Sequence, residues 1–232
     1  MKVVIMQPYL FPYLGYWQMI ALSDIFVLFD DVNYIKRGWI NRNNILLNNQ
    51  PHLFTLPLLS ASQNKKINEI YITNNNKEKL KLLKMFECAY KRAPFFNDVY
   101  PMLHQIIMHN QECLSHFLMH QFQVIFNYLG ITSRLVFSSE INKNNSLKAQ
   151  AKILDICKTL NATQYINAIG GQMLYNKEEF NRHGIILSFI KMRNISYRQF
   201  DNSFIPYLSM IDILMFNDKS STKKLLTEFD LL

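Results

Sequence analysis

Apolar runs and helical periods alternate along this chain, and the opening residues show the repeat most clearly. Residues 3–6 (VVIM) are a short, β-branched apolar run of the kind a buried strand presents. Pro8 and Pro12 then forbid both a long strand and an immediate helix. Past Gly15, residues 16–22 (YWQMIAL) predict a short helix, and residues 25–29 a second buried strand that stops at Asp30 and Asp31. Strand, loop, helix, strand is one βαβ unit, which needs roughly 30 residues. In such units the polar groups just past the carboxyl ends of the strands face the binding crevice. Gln7, Tyr9 and Tyr13 follow the first strand; Asp30, Asp31, Lys36 and Arg37 follow the second.

Beyond this unit, residues 45–59 read as a short hairpin or edge strands around Pro51 and Pro57, and residues 60–76 as a polar loop with one short strand, INEIYI. At residue 77 the period becomes helical: Leu80, Leu83, Phe86 and Tyr90 suit one helix ending before Pro94. A longer helical pattern over 97–129 is expected to break near Pro101 and to stop at Gly130. Residues 135–137 predict a strand, Ser146 an N-cap for a helix running to Leu160, and 165–167 a strand closing on Gly170 and Gly171. A short helix over 178–182, a strand over 185–190 and a last amphipathic helix around 208–216 complete the chain. Alternating strands and helices imply a Rossmann-like α/β fold with a mostly parallel sheet. The expected organisation is one domain over 1–232, with 77–130 as a helical insertion or subdomain within it.

At 232 residues the chain can bury a full core. Its apolar runs fall short of the roughly 20 residues a membrane-spanning helix needs, and the N-terminus carries no charged leader, so a cytoplasmic protein without a transmembrane segment is expected. Three widely spaced cysteines imply no disulfide framework. Formal charge is +8, from 25 basic against 17 acidic side chains. That excess fits a polyanionic partner, or lysine spread over the surface; no basic run is dense enough for a nucleic-acid arm.

Candidate chemistry concentrates in the same loops. Asp30 and Asp31 could serve as general base or hold magnesium at a strand end, or simply end a strand. Lys36, Arg37 and Arg42, among Tyr34, Trp39 and several asparagines, suit a phosphate or carboxylate held by bidentate arginine contacts. Tyr13-x-Gly15-Tyr16 stands where nucleotidylyl-transferring α/β proteins carry H-x-G-H; with tyrosine in place of both histidines, the analogy supports nucleotide binding more than adenylyl transfer. Gly170-Gly171 gives backbone freedom for a ligand, or forms a plain turn, and is neither a dinucleotide nor a P-loop motif. His109, Cys113, His116 and His120 share one predicted helix face, but one straight helix cannot wrap a tetrahedral ion and no partner cluster exists elsewhere, so no metal site is assigned.

The same stretches carry a family resemblance. Met6-Gln7-Pro8-Tyr9, Phe11-Pro12-Tyr13 and Gly15-Tyr16, then Phe29-Asp30-Asp31-Val32, Tyr34-Ile35-Lys36-Arg37-Gly38-Trp39-Ile40-Asn41-Arg42, resemble the signature of the WbqC-like proteins. Later segments agree in order: Ser138-Ser139-Glu140, Ile156-Cys157-Lys158, Tyr165-Ile166-Asn167 with Gly170-Gly171, Tyr175, and Phe204-Ile205-Pro206 with Leu208-Ser209. One departure is LKAQAK at 147–152, where a more polar helix start is expected, which weighs against an anion-binding role for that helix. The resemblance implies a transferase of O-antigen and other lipopolysaccharide or surface-polysaccharide biosynthesis, transferring glycine or a similar small acyl group to an amino sugar.

On that reading the acceptor is a nucleotide-linked 4-amino-4,6-dideoxy sugar. Gln7, Tyr9 and Tyr13 are expected to orient it, with Trp39 also among the substrate-binding residues; Lys36, Arg37 and Arg42 are expected to hold its diphosphate, and Asp30 or Asp31 to take the amine proton, with Lys36 counted beside them as catalytic. Asn41, Asn167 and the Gly170-Gly171 backbone would stabilise the oxyanion, with Tyr165 beside them. ATP with Mg2+, glycyl-tRNA and acyl-CoA all stay open as sources of the acyl group, as does homo-oligomer formation. The competing expectation is a non-catalytic protein that binds a nucleotide sugar or RNA and assists polysaccharide assembly.

Overall fold

A computed structural model of the chain describes residues 1–73, 75–200 and 203–232. Its elements run β1 (Lys2–Met6), α1 (Leu14–Leu22), β2 (Ile25–Leu28), a hairpin of β3 (Arg42–Leu47) and β4 (Gln50–Thr55), the small pair β5 (Leu58–Leu59) and β6 (Tyr71–Ile72), and then α2 (Asn76–Tyr90), α3 (Phe96–Ile107) and α4 (Leu114–Leu129). The second half follows as β7 (Arg134–Phe137), α5 (Ala149–Thr159), β8 (Gln164–Ala168), α6 (Lys177–Arg182), β9 (Ile186–Met192), α7 (Met210–Phe216), α8 (Lys219–Leu225) and β10 (Phe229–Leu231).

The main sheet has six strands in the order β10-β9-β8-β1-β2-β7. All neighbours pair parallel except β10, which runs antiparallel on the edge of β9. This is the expected α/β fold. Parallel strands covered on both faces read as unbroken apolar runs, and β1 does so: Val4 joins one core cluster while Val3 and Ile5 join the other. Helix α1 packs on the first face and α6, through Phe180, on the second. The connections leaving β1 and β8 therefore depart on opposite faces, making their shared C-terminal edge the switch point where ligands of open α/β sheets bind.

Residues 77–130 hold α2, α3 and α4, whose Phe86, Leu103 and Phe117 are fully buried in the same cluster as Val4 and Phe26. Helix α1 is buried nearly all round, which a helix with apolar residues on every side requires. Its one internal amide, Gln18, donates to the carbonyls of Leu225 and Glu228, fastening the C-terminal segment onto the core. No helix among the described residues is long and apolar enough to cross a membrane.

Three local expectations are corrected. Pro101 does not break the third helix; it is exposed within α3, and the interruption falls at 109–113, before α4. An interior proline forfeits its own N–H bond and crowds the carbonyl four residues back, at a cost of about 3 kcal/mol; the buried face of Val99, Met102, Leu103 and Ile106 holds α3 together through it. Ser146 does not cap α5, which starts at Ala149; its hydroxyl bonds Asn144 Oδ1 instead, at 2.7 Å. The tail holds α8 and β10 beyond the expected last helix, with Asp218 capping α8 by accepting from the Ser221 amide.

The loop between β1 and α1 is pinned from inside the core. Gln121 on α4 accepts from the Phe11 amide (2.9 Å) and donates to the Tyr9 carbonyl (3.1 Å). Both groups face a side chain that is fully buried, so neither can turn to water if Gln121 is lost. Replacing Gln121 by Leu is expected to lower unfolding stability by about 1–3 kcal/mol for each group left unpaired. Denaturant midpoints measure it, and a change under about 0.5 kcal/mol, the size of an ordinary surface effect, contradicts this pinning.

Candidate functional site

At the C-terminal end of β1 an aromatic cleft of about 260 Å3 opens between Tyr9, Pro12, Tyr13, Trp39, Asn43 and Tyr207. Three separate segments build it. The 7–13 loop contributes Tyr9 and Tyr13, the loop after β2 contributes Trp39, and the segment before α7 contributes Tyr207. The first two are tied backbone to backbone, Leu10 N–H to the Trp39 carbonyl at 3.0 Å. The third is tied by the Met210 amide, which donates to the carbonyls of Phe11 and Pro12.

Asn43 sits beneath the cleft and donates from Nδ2 to the carbonyls of Leu10 (3.0 Å) and Phe11 (2.9 Å). Phe11 itself is held at φ +43, a left-handed conformation unusual for an aromatic residue, as is Tyr207 at φ +60. Tyr13 meets Tyr207 edge-on at 6.5 Å, and Tyr9 leans on Tyr16 at 5.4 Å. Burial, with a smaller push from a neighbouring phenol, raises the pKa of both Tyr9 and Tyr13. Both are thus neutral phenols at pH 7, able to donate and accept hydrogen bonds. Gly15 leaves the Tyr13 ring its place: a Cβ there would lie 2.7 Å from that ring and push its outer end aside.

The loop after β2 presents Trp39 from a turn closed by Arg42. Its Nε donates to the Gly38 carbonyl at 3.1 Å and its guanidinium also reaches the Arg37 carbonyl. Asn41 is buried, accepting from the Tyr34 hydroxyl (2.8 Å) and donating to the Leu56 carbonyl. Lys36 and Arg37 stand exposed on the turn, Arg37 at φ +61, and Trp39 is 45 % exposed.

The two aspartates lie on the same C-terminal crest but outside the walls of the cleft. Asp30 is buried and accepts from both the amide (3.0 Å) and the hydroxyl (2.7 Å) of Ser139, bracing the loop after β7 against β2. Asp31 pairs with Lys152 at 2.8 Å and Lys143 at 3.1 Å, all three buried, while its Oδ1 has no hydrogen-bond partner. Burial alone would raise its pKa, but the hydrogen bond from Lys152, the nearby Ser138 hydroxyl and the Lys143 ammonium together outweigh that and hold it below the usual carboxylate range. Lys152 belongs to the LKAQAK stretch, and its ammonium also lies 5.2 Å from the centre of the Phe29 ring.

At the end of β8, Asn167 is buried, donating to the Tyr165 hydroxyl (3.0 Å) and accepting from the Ala168 amide. Tyr165 is fully buried, stacked on Phe180 in the second core cluster. Gly170 and Gly171 follow in an outward turn, and Gln7 is half buried at the end of β1, its carbonyl accepting from Tyr16. The fold therefore gathers Tyr9, Tyr13 and Trp39 around one cleft with Lys36 and Arg37 on the adjoining turn; it turns Asn41 and Tyr165 inward as supports and folds the half-buried Arg42 back onto its own turn. Pro12, Asn43 and Tyr207 were not among the expected site residues. Tyr207 lies inside the 204–209 segment whose neighbours carry the resemblance, which was the available signal.

His109 and His120 stack at 3.7 Å and His116 packs on Phe137. Among the described residues no three of His, Cys, Asp and Glu come together to hold a metal ion.

The Asp31 pairing has a pH signature. Its folded pKa lies below the unfolded value of about 3.9, so its stabilisation is complete above that pH and is lost as pH falls through the folded value. Asp31→Asn is expected to cost about 3–5 kcal/mol at pH 7, because two buried ammonium groups lose their carboxylate, and progressively less below pH 4. Denaturant unfolding at both pH values reads this, and an equal cost at pH 7 and pH 3 contradicts it.

A protein-family model for the WbqC-like protein family matches residues 7–224. The uncharacterized protein Rv1507c of Mycobacterium tuberculosis is 27 % identical over 216 residues, which is 92 % of each chain. No solved structure matches. The family match spans the aromatic cleft, both aspartates and the two lysine partners of Asp31, and the chain belongs to the WbqC-like protein family.

Proposed function

We propose that this chain is an N-acyltransferase that moves glycyl or a similar small acyl group onto the free amine of a nucleotide-linked 4-amino-4,6-dideoxy sugar. The observation that carries the reading is the aromatic cleft at the end of β1, with Lys36 and Arg37 exposed on the turn that leads into its Trp39 wall. Aromatic rings cover the apolar face of a pyranose or a base, the phenols bond hydroxyls, and the exposed cations suit a diphosphate. In this reading the amine nitrogen attacks the acyl carbonyl, a C–N bond forms, and the bond to the donor's leaving group breaks. The nitrogen gives up a proton. Asp30 has both oxygens engaged by Ser139, so the reading gives that proton to Asp31, ionised and with Oδ1 unpartnered. ATP with Mg2+, glycyl-tRNA and acyl-CoA are the donor classes to supply in an assay.

A second reading is a non-catalytic protein that binds a nucleotide sugar for an assembly complex. The observation favouring it is that, among the described residues, the cleft walls carry no carboxylate, thiol or imidazole.

Melting in the presence of dTDP- and UDP-linked 4-amino sugars tests both. A native-state ligand at 100-fold excess over its Kd stabilises by about 2.7 kcal/mol. Stabilisation that disappears when the 4-amine is replaced by hydroxyl, together with a mass gain on the sugar when a donor is added, is the expected result. Gly15→Ala is expected to lose that stabilisation while melting close to wild type on its own, since the added methyl strikes the movable Tyr13 ring. Amine-dependent binding with no mass gain from any donor supports the second reading. No stabilisation by any sugar nucleotide contradicts both.

A further inference from the structure

The loops that leave the C-terminal ends of β8 and β2 carry exposed apolar tips. Met173 and Leu174, in the turn Ile169–Leu174 after β8, are 96 % and 71 % exposed, and Ile35 and Trp39, in the loop after β2, are 49 % and 45 % exposed. Single exposed apolar residues are ordinary on any protein. These four, however, stand on one edge of one sheet. Met6 of β1 pairs with Leu28 of β2, and the register of β1 with β8 brings Ala168 to its other side. With neighbouring strands about 4.8 Å apart, the two apolar turns leave the sheet about 10 Å from one another. The 7–13 loop, with the aromatic cleft, leaves β1 between them.

Cations gather on the same edge through a contact that chain order does not show. Residues 32–34 and 65–67 run antiparallel: Asn33 bridges Lys66, the Tyr34 amide donates to the Lys65 carbonyl at 2.9 Å, and the Ile67 amide donates to the Val32 carbonyl at 3.0 Å. Lys36 and Arg37 come three residues after Asn33 and Tyr34, so their Cα atoms lie within about 11 Å of that ladder. Two basic pairs far apart in sequence thus become one patch. Lys36, Arg37, Lys65 and Lys66 are all exposed, and among the described residues none of the four pairs with a carboxylate. Glu69 is exposed beside them, its carboxylate accepting from the Lys66 backbone amide at 2.8 Å. Farther along the edge the exposed charges are mixed: Glu140, Lys148, Lys177 and Glu178.

We infer that this edge docks on the surface of an anionic phospholipid bilayer. Ile35, Trp39, Met173 and Leu174 enter the boundary between headgroups and acyl chains, and the four cations meet the lipid phosphates. Tryptophan is enriched at that depth. A nucleic acid would use the cations but leave the aliphatic tips idle, and the core of a protein interface is depleted of lysine. Docking by this face turns the mouth of the cleft towards the headgroups. The inference does not rest on the acyltransferase reading, in which Lys65, Lys66, Met173 and Leu174 take no part.

Co-sedimentation of the full chain with vesicles of equal parts phosphatidylglycerol and phosphatidylcholine tests it, with pure phosphatidylcholine vesicles as the reference. The chain is expected to sediment with the anionic vesicles, less as salt is added, and far less with the neutral ones. Lys65→Gln/Lys66→Gln is expected to weaken binding about 25-fold, the worth of two cations near an anionic surface. Met173→Ser/Leu174→Ser is expected to weaken it about ten-fold or more, since two apolar side chains lose their burial. All four side chains are exposed, so both variants should melt as wild type does. Trp17 is fully buried, so a blue shift of tryptophan emission on adding anionic vesicles reports Trp39. No sedimentation of the wild type with anionic vesicles overturns the inference. Unchanged binding in either variant does the same, as does sedimentation without a blue shift, which puts the contact on another face. Single-stranded RNA that binds more tightly than the vesicles, with loss confined to the lysine variant, assigns the patch to nucleic acid and also overturns it.

Discussion

Everything at the mouth of this molecule depends on how seven residues between β1 and α1 are held. The backbone of that loop is satisfied from the interior: Gln121 takes the Phe11 amide and gives to the Tyr9 carbonyl, Asn43 gives to the Leu10 and Phe11 carbonyls, and the Trp17 indole gives to Pro12 at 3.0 Å. Buried backbone groups must be paired, and two prolines within the loop already deny it a regular ladder. The pairing comes from side-chain amides on α4 and β3, so those elements fix the loop as firmly as the strand before it. They also maintain the left-handed turn at Phe11, which its local preferences oppose.

That constraint links core to cleft. Because the loop cannot move without orphaning buried amides, Tyr9 and Tyr13 are presented in one arrangement, and the backbone bond from Leu10 to Trp39 carries the same rigidity into the loop after β2. A ligand entering such a cleft loses little of its binding energy to ordering the protein. The C-terminal segment is fastened separately. Asp212, fully buried on α7, accepts from Tyr90, Tyr197 and Gln199, and Gln199 also exchanges bonds with the backbone of Ile205. This network fixes the two ends of the segment that leads to Tyr207 at the cleft.

The parallel strands were readable because burial on both faces leaves an uninterrupted apolar run, as in 3–6 and 25–28. The crest of the sheet was readable because aromatic and charged residues follow those runs directly. What the chain order does not carry is direction. Asn41 and Tyr165 sit in the same loops and strand ends as Trp39 and Gly170, yet they point inward, and only the three-dimensional path of the chain decides that. Partners distant in sequence were equally hidden: nothing in LKAQAK announces that Lys152 will meet Asp31. Pro101 misled because the packed face of α3 holds the helix together through it, which the local sequence does not state.

A crystal structure of the chain with a dTDP-linked 4-amino sugar tests the central claim most directly. The account expects the sugar nucleotide between Tyr13, Trp39 and Tyr207, its diphosphate towards Lys36 and Arg37, and the backbone of residues 7–13 unmoved from its position in the free protein. A ligand bound elsewhere, or a 7–13 loop that rearranges to receive it, would contradict the account of a cleft preformed by its buried amides.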